Sequence, residues 1–359
     1  MTKIQDILIS SGDYICEVLE LQEPIKPGQN GPWNDQMTSM RVMSHWSILL
    51  LQVYKLTGKD KYKIYAKKIL DDIINPKQRP KGFSFYSRIS DTKDASNGLV
   101  GQAWVIEALL YGYKILEDNK YIKLAEEIFL LHRFNKSKGL WFVLDVDGEA
   151  NNLCLTTNQQ IWFATLGTIL FKETKNKKID YETSIFWNQF YSNVALYHTG
   201  LIKHLVKIKS FKSFFKSQTN KLRDLSIGYH SFNLYALAIL KDNVPELSFW
   251  SDYRTEKFIK KIINALSSST YKKNIYSNEY SFQYNIPGIE LFYFKEVFED
   301  YFTDRQRKDI EEYFEFQISN HICSKTLLLN KNTVDPDTLA ARSYELTRLN
   351  SNIPIYMES

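Results

Sequence analysis

Along much of this chain apolar and polar residues recur with the period of an α-helix, and the pattern repeats itself. Between Gly101 and Leu116 the apolar positions Val105, Ala108, Leu109, Gly112, Tyr113 and Leu116 share one helical face. Glu117-Asp118-Asn119 ends that face, because Asp and Asn side chains bond their own backbone. Tyr121, Leu124, Ala125, Ile128 and Phe129 then mark a second helix, so 97–132 predicts a helical hairpin. A twin lies upstream: Tyr54 to Tyr62, with Ala66 and Ile69, matches Tyr113 to Tyr121, with Ala125 and Ile128. The offset is a constant 59 residues (54 to 113, 62 to 121, 66 to 125). Self-similarity at a fixed period signals stacked copies of a unit that cannot bury its apolar face alone.

The remaining pattern supplies further copies. Residues 2–22 predict an amphipathic helix, followed by a Pro/Gly/Asn loop to Gln36. Met40–Leu56 and Tyr62–Ile74 form the first pair. A long connection over 75–96 leaves room for one short strand, and 139–152 reads as a small hairpin ending at Asp147-Gly148. Further pairs open at Thr156 (second helix about 183–209), at Gly228 (second helix 254–268) and near Ile286, where Thr303 or Asp304 caps the second helix. The last first helix starts at Asp335-Pro336 and finds its partner in 2–22. First helices thus begin near 41, 99, 157, 228, 287 and 337. This predicts an all-α protein, six hairpins closed into a toroid, as one domain over 1–359. An open solenoid is the alternative, but its usual repeats are shorter, about 34 to 47 residues.

Composition narrows the class. Hydrophobic residues make up 44% and charged residues 24%, the balance of a globular protein with a sizeable core. Three cysteines, Cys16, Cys154 and Cys323, lie far apart and without a CxxC pair, which suits a reducing compartment and disfavours a disulfide or zinc scaffold. No signal-peptide pattern and no apolar run of about 18 residues occurs, so a cytoplasmic protein without membrane insertion is expected. The net charge of +5 comes from scattered lysines. The basic run Lys203 to Lys221 reads as a charged outer helix and loop rather than a nucleic-acid or membrane surface. The six histidines show neither HExxH nor paired spacing, so no metal and no cofactor is expected.

Chemistry gathers at the starts of the first helices. In order these carry Trp33, Asp35, Arg41, His45 and Trp46; Asn97, Gln102 and Trp104; Asn158, Gln159, Gln160 and Trp162; Tyr229, His230 and Asn233; Gln283, Tyr284 and Glu290; Asp337, Arg342 and Glu345. Parallel hairpins would bring these ends to one mouth. Indoles and phenols stack on sugar rings, while amides, Asp and Arg pair with hydroxyls, so the expected partner is a sugar or oligosaccharide. Helix N-termini there also favour an anionic group such as a uronate. Each residue has a plainer reading as well. The tryptophans can be core, Asn97 and Asn158 caps, His45 and His230 bonded core histidines, Arg342 with Glu345 an i, i+3 ion pair, and Asp145 and Asp147 turn formers.

The phrases Asn97-Gly-Leu-Val-Gly-Gln-Ala-Trp104, Arg41-Val-Met-Ser-His-Trp46, Asn158-Gln-Gln-Ile-Trp-Phe-Ala164 and Gly228-Tyr-His-Ser-Phe-Asn233 resemble those of (α/α)6-barrel carbohydrate enzymes. That group includes unsaturated glucuronyl hydrolases, N-acylglucosamine 2-epimerases and, most similar, the AglQ-like proteins of surface-glycan gene clusters. The resemblance implies an (α/α)6 fold over nearly the whole chain and action on a glycan. The hydrolases' His-Asp-x-Gly-Phe phrase and the catalytic Asp before their Met-Asn-Leu run are missing here, so those aspartates do not carry over.

Three readings stay open. A glycoside hydrolase needs two carboxyl groups, one protonated and one ionised, and the candidates are Asp35, Glu290 and Asp337, with Asp145 or Asp147 reaching over. An epimerase or lyase would use His45 and His230 as acid and base, with Arg41 or Arg342 on a carboxylate. The residues expected to bind the sugar are Trp33, Arg41, Trp46, Asn97, Gln102, Trp104, Asn158, Gln159, Trp162, Tyr229, Tyr284 and Arg342; the third reading is a toroid with a peptide or glycan groove and no catalysis.

Overall fold

The computed structural model describes residues 2–150, 152–207 and 219–355. The helices are α1 Ile4–Glu20, α2 Met40–Thr57, α3 Asp60–Ile73, α4 Gly98–Leu116, α5 Asn119–Leu131, α6 Thr157–Thr174, α7 Lys177–Asn193, α8 Thr219–Gly228, α9 His230–Asn243, α10 Tyr253–Leu266, α11 Ser269–Asn274, α12 Pro287–Val297, α13 Asp304–His321 and α14 Pro336–Ala341. A 3-10 segment, Arg342–Arg348, continues α14. Two-residue strands pair as β1 Thr2–Lys3 with β6 Pro354–Ile355, β2 Gln36–Met37 with β3 Arg88–Ile89, and β4 Phe134–Asn135 with β5 Leu140–Trp141, all antiparallel.

The chain divides into two bodies. One comprises Met1–Leu131, Leu144–Ala150 and Glu315–Ser359; the other comprises His132–Val143 and Asn151–Phe314. In the first, α2 packs against α3 and α4, α4 against α5, and α1 against α2 and the 3-10 segment. The N-terminal helix is therefore the partner of the last one, and β1–β6 ties the two ends together. In the second body α6 packs on α7 and α9, and α9 on α12.

Burial explains the division of labour inside each pair. The leading helices are covered on all sides: every residue from Met40 to Leu51 and from Gly98 to Leu110 is buried. A helix that is largely apolar all round is stable only inside a core. The partner helices bury one stripe. In α3 this is Tyr62, Ala66, Ile69, Leu70 and Ile73, and in α10 Phe258, Ile259, Ile262, Ile263 and Leu266, with lysines on the open face.

Helix ends follow local chemistry. At the C-terminal end of α2, α4 and α6 the cap residue is left-handed and its N–H returns to the helix: Gly58 to Tyr54, Glu117 to Tyr113 and Lys175 to Phe171. Thr303 caps α13 in a reciprocal box with Gln306, each side chain accepting from the other's backbone N–H. The second helix of the third pair differs from expectation, running Lys177–Asn193. Asn176 caps it by accepting from Lys178 and Ile179, and the chain after it turns extended, bridging Leu196 to Ile202. Helices α8 and α11 were not foreshadowed by periodicity, and the closing helix is short and passes into 3-10 geometry. Most of the basic run after Lys203 (208–218) lies outside the described residues.

Candidate functional site

Leading helices reach their preceding loops through buried amides. Gln102 in α4 accepts from the Phe85 N–H at 2.8 Å and donates to the carbonyls of Phe85 (3.1 Å) and Ser96 (2.9 Å). Gln160 in α6 repeats this with Trp141 (3.1 and 2.9 Å) and Cys154 (2.8 Å). His230 does similar work in α9: its Nδ1 accepts from Ile202 N–H at 3.3 Å and its Nε2 lies 3.2 Å from the Ile262 carbonyl. Burial pulls its pKa down to about 4, so the ring is neutral.

In the first body, these loops build a charged cluster around Asp35. Its carboxylate accepts from Asn30 (2.9 Å), Arg88 (3.2 Å) and Lys93 (2.5 Å). Burial raises this carboxyl, but the bonds from Lys93 and Asn30 and the charge of Arg88 outweigh it, and its pKa lies below the usual value. Arg88 also binds Asn97 Oδ1 (3.3 Å) and the Asp94 carboxylate (2.9 Å), and Lys93 stands 5.6 Å over the half-buried Trp33 ring. Asn97 holds the N-cap position of α4 in left-handed geometry without a side-chain cap bond; Asp94 accepts from Gly98 N–H instead. Asp145 accepts from the N–H groups of Ala95, Ser96 and Val146, pinning the same loop, while Asp147 closes its own turn onto Glu149.

A cavity of about 340 Å³ in this body is lined by Gly28, Asn34, Asp35, Met37, Asp335 and Asp337, among others. Asp335 is spent on structure. It caps α14 through Thr338 N–H and accepts from Gln29 and Gly31. Gly28 approaches so closely that a Cβ there would lie 1.7 Å from Thr338 Oγ1. Asp337, half-buried in the first turn of α14, differs. Burial raises its pKa; Lys26 opposes this and the charge of Asp335 adds to it, leaving a net rise. Asp337 also borders a second, smaller hollow with Tyr14 and Trp46.

Deeper in the same body, Arg41 lies 4.2 Å over Trp104, and His45 stacks on Tyr344 (4.6 Å) with Trp104 edge-on (5.6 Å). His45 is 1% exposed, and neither ring nitrogen has a hydrogen-bond partner among the described residues. Burial and the nearby Arg41, Arg342 and Arg348 hold its pKa well below the usual value. Arg342 pairs with Glu345 at 2.7 Å, and Arg348 with Glu107, which also accepts from the Tyr344 hydroxyl at 3.2 Å. Both ion pairs are buried.

In the second body, Tyr229 meets Tyr284 edge-on (6.3 Å), with Tyr280 and His204 against its other sides. Trp162 is fully buried, stacked on Phe232 at 4.8 Å with its indole N–H on the Phe232 carbonyl. Asn158 is buried in the first turn of α6, half-buried Gln159 accepts from the Cys154 thiol, and Glu290 is fully buried.

No family model matches the chain. A protein of Haloferax volcanii, archaeal glycosylation protein Q, is 31% identical over 381 aligned positions that span 100% of both chains. The chain belongs to the archaeal glycosylation protein Q family. Among solved structures, cellobiose 2-epimerase of Bacillus thermoamylovorans superposes with a TM-score of 0.63 at 12% identity over 88% of each chain. An inactive α-1,6-mannanase variant of Salegentibacter sp. HEL1_6 in complex with α-1,6-mannotetrose superposes at 0.57, also at 12%, over 97% of this chain and 98% of its own. The fold class is the (α/α)6 type read from the sequence.

Several residues at the sites of this glycosylation protein Q relative lie outside the sequence pattern. Arg88 and Lys93 sit in the long loop before α4, where sequence shows only polarity. Glu107 carried a usable signal, being a lone carboxylate in the otherwise apolar run Ala103–Leu110. Tyr344 carried one too, lying between Arg342 and Glu345.

Proposed function

We propose that this protein hydrolyses a glycosidic bond in a glycan or glycan precursor that contains uronic acid. Asp337 is the general acid and Asp35 the ionised carboxylate that stabilises charge developing at the anomeric carbon. The observation that carries this reading is that two carboxyl groups with pKa values displaced in opposite directions line one cavity. Oppositely displaced carboxyls are how glycosidases divide the acid and anion roles. Membership of a glycosylation family and the fold shared with a mannanase support a sugar substrate. Trp33, beside Asp35, offers a ring for stacking; Arg41, Trp46, Asn97, Trp104 and Arg342 serve the same body. Gln102, Gln160 and His230 belong to the scaffold, since their polar atoms are taken by backbone.

The test is sugar release from uronate-containing oligosaccharides. Asp337→Asn should lose about 100-fold or more in rate on a natural leaving group and recover on an activated aryl glycoside, which needs no proton. Equal losses on both substrates would remove Asp337 from the acid role.

His45 favours a second reading, epimerisation. A neutral, unpartnered imidazole beside Tyr344 and three arginines is suited to taking a proton next to a carbonyl. Exchange of a substrate C–H for deuterium in heavy water, lost in His45→Asn, would select it over hydrolysis.

A further inference from the structure

The second body carries an open groove of about 1110 Å³. Among the described residues, five cations line it, Lys203, Lys207, Arg254, Lys257 and Lys261, and no carboxylate does. Arg254, Lys257 and Lys261 follow i, i+3 and i+7 spacing, one face of α10. Arg254 is engaged with Asp252 and lies 4.8 Å over Tyr191. Lys203 stands 5.0 Å over Tyr197. Lys207, Lys257 and Lys261 are exposed and have no ion-pair partner among the described residues, whereas Lys61, Lys67, Lys120 and Lys272 each hold a carboxylate. Like charges gathered without counter-charge repel, and a bound anion relieves this.

The walls are fixed. Gly200, at φ +93, lets the 194–206 segment approach α10 so closely that a Cβ would lie 2.1 Å from the Lys261 carbonyl oxygen. The Tyr191 hydroxyl is hydrogen-bonded to Thr255 of α10. Tyr191, Tyr197 and Tyr253 present phenol rings among the cations, with Tyr253 77% exposed.

The geometry points to a binding site for an acidic oligosaccharide, with a pyranose face on the open Tyr253 ring and uronate carboxylates on Lys207, Lys257 and Lys261. The choice of a glycan over another polyanion rests on the sugar-active reading above. The groove and the Asp35–Asp337 cavity share no residue, so binding here does not depend on turnover there.

Calorimetry with oligogalacturonate tests it, using the full chain, the Asp337→Asn variant and the Lys257→Glu/Lys261→Glu double variant, whose changes sit on an exposed helix face. Oligogalacturonate should bind the first two alike, weaken with added salt, and bind the double variant at least roughly tenfold more weakly at unchanged melting temperature. Neutral mannotetraose and oligo-dT should bind far more weakly. Unchanged affinity in the double variant, or equal binding of mannotetraose or oligo-dT, would overturn the assignment. If binding follows the expected pattern while no oligosaccharide is cleaved, the hydrolase reading alone fails.

Discussion

Asp35 and Asp337 show how the same functional group is turned to different ends by its surroundings. Asp35 receives two cations and an amide, and stays ionised at low pH. Asp337 receives little that stabilises its anion and sits beside another carboxylate. Activity should therefore be bell-shaped on the acidic side of neutrality, rising as Asp35 ionises and falling as Asp337 loses its proton. An alkaline limb that persists in Asp337→Asn assayed on an aryl glycoside would contradict that assignment. The buried histidines set stability at this scale. The folded pKa values of His45 and His230 lie below the unfolded value of about 6.5. The unfolded chain therefore binds more protons as pH falls below that value, and stability present above it is lost. Each ring contributes a slope of up to about 1.4 kcal/mol per pH unit in that window. Chemical denaturation between pH 7 and 5 should show this decline, and His230→Asn should flatten it; a pH-independent midpoint would contradict the burial argument.

Elements are joined by a small set of repeated devices. The left-handed cap after each of the first three leading helices is glycine once, at Gly58, but Glu117 and Lys175 in the other two. A side chain there costs roughly 1 kcal/mol. Lys175→Gly should accordingly stabilise the fold by about 0.5–1 kcal/mol in denaturant melts; a loss would show that the Lys175 side chain contributes more than its backbone strain costs. The buried glutamines are the converse case. Gln160→Ala leaves the Cys154 carbonyl and the Trp141 N–H without their side-chain partner, while the Trp141 carbonyl keeps the Cys154 N–H, and should cost about 2–4 kcal/mol. The helices were legible in the sequence because each device leaves a local trace: a helical stripe, a polar turn, a cap. Helices α8 and α11 left none, since one ends directly against α9 and the other is six residues long. The start of α7 differs from the expected one because Asn176, the residue that sets it, reads equally well as part of a loop.

At the scale of the molecule, repetition made the fold legible and concealed the chemistry. Leading-helix starts spaced 58, 58, 71, 59 and 50 residues apart set the order of the hairpins, and the tie between Thr2–Lys3 and Pro354–Ile355 completes the last pair within the first body. Site residues follow no such period. Asp35 is bound by Arg88 and Lys93, more than fifty positions along, and the loop that carries it is held by Asp335, about three hundred positions along. No local pattern announces such partners, so the sequence points to Asp35 and not to its cations. Equivalent places in different repeats also diverge: Gln102 and Gln160 bind backbone, Arg41 in the first turn of α2 lies buried over Trp104, and Asp337 in the first turn of α14 lines a cavity. The most direct measurement is an NMR time course of the anomeric protons of a uronate-containing oligosaccharide mixed with the full-length protein. The account predicts a new reducing-end signal that Asp35→Asn and Asp337→Asn each abolish. No new reducing end, or one that forms at the same rate in either variant, would contradict it.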